Sequence, residues 1–139
     1  MASHAIITWN ASLSCGVTDI DEDHKKLVSM INRLGGAVLS ADPQEVLQEI
    51  LRELVQYVVF HFDREEEYMQ EYDYPRFEQH QAQHRQLLDQ AQEFVELLGS
   101  RPTQELWQQL GDTLRAWLVV HIEGEDHELG AFLVNQGLS

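Results

Sequence analysis

The chain has 139 residues, of which 43% are hydrophobic and 9% aromatic, an ordinary composition for one globular domain that buries most of its apolar surface. Nine basic against 24 acidic residues give a net charge of −15, which argues against a nucleic-acid backbone or an anionic membrane as partner. Cys15 is the single cysteine, so neither an internal disulfide nor a thiolate metal cluster can form.

An N-terminal arm, about residues 1–18, shows neither a basic start nor a small-residue cleavage site. With no apolar run of transmembrane length, the expected location is cytoplasmic. From about residue 19 to 123, apolar residues recur at steps of three and four, which is helical spacing. The first stripe is Ile20, Leu27, Ile31, Leu34 and Val38, with Asp19 as its expected N-cap. The second begins at Asp42-Pro43-Gln44-Glu45, an acidic cap followed by proline, and runs through Leu47, Leu51, Leu54 and Val58. It ends at Asp73-Tyr74-Pro75, since proline disfavours a helical conformation in the residue before it. The third carries Phe77, Leu87, Ala91, Phe94 and Leu98, with Gly99 as its expected stop. The fourth carries Leu106, Leu110, Leu114 and Trp117, and a short apolar segment, Leu129 to Val134, lies in the C-terminal stretch of about 124–139. Connections this short predict an all-α, antiparallel up-down-up-down four-helix bundle, with a short C-terminal helix.

Polar residues interrupt these stripes where an apolar side chain is due. His24 falls in the first, His61 and Glu65 in the second, His80 and His84 in the third, and His121 in the fourth. A lone histidine on an apolar face is usually a core residue satisfied by one hydrogen bond. Five histidines and a glutamate in one small core cannot each be accommodated separately, because an unpartnered buried polar group costs about 1–3 kcal/mol. Bundle topology brings all six to the same end: His24, His80 and His84 are early in their helices, His61, Glu65 and His121 late. Imidazole and carboxylate without thiolate suit iron, zinc or manganese. Asp126, five residues beyond His121, joins the set only if the helix widens locally, which Gly124 permits.

The segments Asp21-Glu22-Asp23-His24-Lys25, His61-Phe62-Asp63-Arg64-Glu65, His80-Gln81-Ala82-Gln83-His84 and His121-Ile122 with Asp126 resemble the hemerythrin family in its bacterial form. Trp9, Glu66, Met69, Tyr72 and Pro75 fit it too, and the likeness spans nearly the whole chain, as one hemerythrin-like domain over 1–139. The resemblance implies two iron ions joined by an oxo or hydroxo group. His80, His84 and His121 would hold one, His24 and His61 the other, and Glu65 and Asp126 would bridge them. On two octahedral ions that set leaves one position open, on the ion with two histidines, and the family's ligand there is dioxygen. Phe62, Trp117, Leu118, Ile122 and Gly124 are the expected pocket around it. Gly124 and Leu129 depart from the family pattern, where a bulky apolar residue and a tyrosine are common. The glycine implies wider access to the pocket, easier entry of anions and faster autoxidation.

The function expected is therefore reversible dioxygen binding, as carrier, store or delivery protein, rather than catalysis. The alternatives are an oxygen or redox sensor and, less favoured, a di-iron oxidase or peroxidase. The partners expected besides dioxygen are an oxygen-using enzyme or a fused signalling domain. Di-iron oxidases usually draw Glu-x-x-His pairs from their helices, and no histidine here has a glutamate three residues before it. His4 and His127 match no ligand position and are expected on the surface, whereas Met30 and Met69 read as core filling.

Overall fold

The computed structural model describes residues 7–139, so His4 lies outside the described residues. A short 3-10 turn, Ala11–Leu13, precedes helices α1 (Thr18–Leu39), α2 (Gln44–Glu71), α3 (Phe77–Ser100) and α4 (Gln104–His121). A π-helical segment, Ile122–Asp126, then leads into α5 (His127–Asn135). Helices α1 to α4 pack as α1 on α2, α2 on α3, α3 on α4 and α4 back on α1, which closes the antiparallel bundle expected. Among the described residues there is no strand and no helix long and apolar enough to cross a membrane.

The helix ends show where local signals were misread. Asp42 was expected to cap α2, but it closes α1 instead. Its N–H bonds Ala37 O at 3.0 Å and the Ala41 N–H bonds Val38 O at 3.0 Å, with Ala41 at φ 52°. That is a Schellman arrangement, and it leaves Pro43 at the N-cap of α2 without a side-chain cap. The same motif ends α2, where Tyr74 N–H bonds Met69 O at 2.8 Å with Asp73 at φ 53°. Asp19 is not the N-cap of α1 either, because Val17 takes that place. Asp21 reaches back instead, accepting from Cys15 N at 2.8 Å and Ser14 Oγ at 2.6 Å. Gly99 stays helical and α3 continues to Ser100. The stop comes at Arg101 (φ −141°, ψ 74°), which the following Pro102 forces out of the helical region. Thr103 caps α4, accepting from Leu106 N at 3.1 Å.

Two cores form. The larger runs the length of the bundle, and Trp107 within it is fully buried with Nε1 donating to Gln44 Oε1 at 2.9 Å. The smaller joins the arm, the end of α2 and α5 through Cys15, Val17, Ile20, Met69, Tyr74, Leu129 and Leu133. Met69 is fully buried there, whereas Met30 is half-buried against the larger core. In the smaller core α5 presses on the arm so closely that a Cβ at Gly130 would stand 2.1 Å from Cys15 O. Backbone cannot step aside cheaply, so Gly130→Ala is expected to lose about 1–3 kcal/mol of stability. Urea unfolding measures this directly, and an unchanged midpoint would contradict the close approach.

Candidate metal centre

All seven side chains singled out in the sequence meet at one end of the bundle. Each is at most 2% exposed, which for five histidines and two acids demands mutual satisfaction. Helix period explains the convergence. His61 and Glu65 stand one turn apart on α2, His80 and His84 one turn apart on α3, and His24 and His121 face them from α1 and α4. Asp126 joins through the widened turn expected near Gly124. Between Ile122 and Asp126 the backbone is π-helical, and the wider turn returns the carboxylate to the face of His121.

The two carboxylates sort the imidazoles into two groups. Glu65 Oε1 lies 3.1 Å from His80 Nε2 and 3.0 Å from His84 Nε2. Its other oxygen, Oε2, lies 3.1 Å from His61 Nε2 and 3.5 Å from His24 Nε2. Asp126 divides the same way, with Oδ1 at 3.0 Å from His80 Nε2 and 3.1 Å from His121 Nε2, and Oδ2 at 2.9 Å from His24 Nε2. Several of these buried atoms, among them His24 Nε2, His61 Nε2, His121 Nε2 and both Asp126 oxygens, make no aligned hydrogen bond. They point into shared space rather than at one another. Two clusters of donor atoms result, Glu65-His80-His84-His121-Asp126 and His24-His61-Glu65-Asp126. A pair of cations fits this donor set, satisfying at once the orphaned imidazole Nε2 and carboxylate oxygen atoms that face the shared space.

The far sides of three of the five rings are held as well. His61 Nδ1 faces Asp23 Oδ2 at 2.9 Å, His84 Nδ1 faces Glu66 Oε2 at 2.9 Å, and His121 Nδ1 faces Gln83 Oε1 at 3.0 Å. Phe62 stacks on His84 with ring centroids 3.8 Å apart, and Trp117 stacks on His121 at 4.3 Å. The expected pocket therefore changes in two respects. Phe62 and Trp117 lie against His84 and His121, with Leu118 and Ile122 buried in the same core. Gly124 is exposed and a Cβ there would meet nothing within 4 Å, because the π segment turns it outward. Its contribution is to the backbone, not to the pocket wall. His127, expected on the surface, is half-buried with its Nε2 shielded from solvent.

Charge in this end of the bundle is strongly coupled. Burial pulls His24, His61 and His80 down, but carboxylates outweigh it: Asp126 and Glu65 at His24 and His80, and Glu65 with Asp23 at His61. His24 and His80 are pushed up to about 10 and His61 to about 9. Burial pushes Glu65 and Asp126 up, yet the facing imidazoles hold both well below the usual carboxylate range. In metal-free protein the histidine contribution to stability is complete below the ordinary value of 6.5 and is lost as pH rises through about 9–10. The acid contribution is complete above the ordinary values of 3.8 and 4.5 and is lost as pH falls below them. At pH 8 these imidazoles still carry protons that a metal must displace, so adding ferrous ion to the metal-free protein is expected to acidify an unbuffered solution. Uptake of metal without proton release would contradict the assignment.

The family model described as the Hemerythrin HHE cation binding domain matches residues 15–133. The chain belongs to the hemerythrin family. Bacteriohemerythrin of Methylococcus capsulatus is 31% identical over 130 residues, covering 93% of this chain and 98% of that protein. Bacteriohemerythrin of Stenotrophomonas maltophilia is 30% identical over 122 residues, covering 88% and 78% respectively. A solved structure of wild-type hemerythrin, 30% identical, superposes with a TM-score of 0.84 over 93% of this chain and 98% of that one. A hemerythrin fold with a buried His, Glu and Asp cluster is consistent with oxygen binding at a metal centre.

Sequence reasoning missed the residues behind the rings: Asp23, Tyr57 and Gln83. Asp23 and Gln83 stand in the segments that resemble the family, but beyond that the sequence signal is position alone. Asp23 adjoins His24, Tyr57 stands one turn before His61, and Gln83 adjoins His84.

Proposed function

We propose that the protein binds dioxygen reversibly at two iron ions joined by an oxo or hydroxo bridge. In this reading His80, His84 and His121 would hold one ion and His24 and His61 the other, with Glu65 and Asp126 each offering one oxygen to either. The observation that carries it is the division of both carboxylates between the same two sets of imidazoles. Ferrous ions held there would supply electrons to dioxygen at the one position that the seven residues and the bridging oxygen together would leave open.

The chain contributes order and dryness. Stacking by Phe62 and Trp117 fixes the planes of His84 and His121 and closes that side to water. Leu118 and Ile122, at most 3% exposed, fill the core beside His121 with apolar surface. A dry wall favours reversible binding, because it keeps external protons and water from the site. Binding rather than catalysis follows from this histidine-rich donor set with a single open position.

The test is anaerobic reduction of the iron-loaded protein, admission of air, and evacuation. A coloured adduct that forms in air and disappears under vacuum supports the proposal. Consumption of reductant with no stable adduct would favour an oxidase.

A further inference from the structure

Among the groups that hold the ring Nδ1 atoms, Asp23 stands apart. It is itself buried, at 4% exposure, whereas the Glu66 side chain behind His84 is 22% exposed and Gln83 behind His121 is neutral. Asp23 lies on α1, and every partner it has lies on α2. Its Oδ2 faces His61 Nδ1 at 2.9 Å and the Arg64 Nε at 3.4 Å, while Oδ1 accepts from the Tyr57 hydroxyl at 2.9 Å. Tyr57 is half-buried, so its hydroxyl completes a chain from the ring of His61 out toward the protein surface.

We propose that Asp23 is a positioning residue that sets how strongly His61 donates to its iron, and that Tyr57 tempers it. The proposal rests on the reading of His61 as a metal ligand. A carboxylate at Nδ1 fixes the tautomer, leaving the Nε2 lone pair directed at the cluster of Glu65 and His24. Its negative charge, in a buried setting, also enriches the ring and favours the more highly charged state of the metal. The Tyr57 hydroxyl donates to the same carboxylate and draws off part of that charge. The two hydrogen bonds therefore act in opposite directions on the iron held by His61. A role confined to tying α1 to α2 would give no such opposition.

Iron-loaded wild-type, Asp23→Asn and Tyr57→Phe proteins test this, with iron content, the reduction potential of the iron pair and the thermal midpoint measured for each. Asparagine keeps the shape and an acceptor oxygen but removes the charge. The potential is expected to rise in Asp23→Asn and fall in Tyr57→Phe, although both variants lose stability. Iron affinity of Asp23→Asn is expected to weaken by about 10–100-fold. In the zinc-loaded protein, which has no redox chemistry, the His61 Nδ1 proton should move upfield in Asp23→Asn. Potentials that move together, or stay fixed while the midpoints fall, would overturn the proposal and leave the di-iron reading intact. Should Asp23→Asn take up no iron, Tyr57→Phe decides alone, and an unchanged or raised potential overturns the proposal. A wild-type protein without an iron pair would overturn the functional reading and this inference with it.

Discussion

Glu65→Ala is expected to abolish paired metal binding while leaving a folded chain. Glu65 is fully buried and its two oxygens face four imidazoles, more than any other side chain in the cluster does. Without it the two groups of histidines share only Asp126, and the end of α2 offers no bridge. Iron content should drop to one ion or fewer per chain, and any spectroscopic coupling between ions should vanish. In metal-free protein the same change strands imidazolium groups in the core, at about 3–5 kcal/mol for a broken buried ion pair. Glu65→Gln separates the two effects, since it keeps shape and hydrogen bonding but not charge. Retention of a coupled pair in Glu65→Ala would show that the carboxylate does not bridge.

Trp107→Ala is expected to have an effect of similar size on stability and none of its own on the metal. Trp107 is fully buried where α4 begins, roughly 20 Å along the helix from His121 at the other end. Truncation removes the indole and strands the Gln44 oxygen that its Nε1 serves, costing about 3–5 kcal/mol. Calorimetry on the metal-free and iron-loaded variant checks both halves. The midpoint should fall in each case, while the stabilisation gained on loading iron should match that of the wild type. Failure of the folded variant to bind iron would mean that the two ends of the bundle are coupled more tightly than their separation suggests.

The bundle and the seven converging residues were legible because helices have a fixed period. A polar residue in an apolar stripe is buried wherever the helix packs, and short connections decide which ends meet. Asp126 was legible for a subtler reason, since its spacing from His121 fits only a widened turn, and the turn is π-helical. That same turn defeated the reading of Gly124, because a π segment changes the direction of every residue within it. Helix caps were read from residue type, whereas Asp42 and Asp21 serve backbone groups whose availability depends on how the preceding segment ends. Asp23, Tyr57 and Gln83 depend on the rotation of one helix against its neighbour, and a single stripe carries no information on that. The contact between Gly130 and Cys15 joins segments far apart in the chain and left no trace in either.

An anomalous diffraction map at the iron edge, from crystals of the iron-loaded protein, tests the central claim most directly. Two peaks are predicted between Glu65 and Asp126, one ringed by His80, His84 and His121 and the other by His24 and His61. A single peak, or two that leave any of those imidazoles uncoordinated, would contradict it.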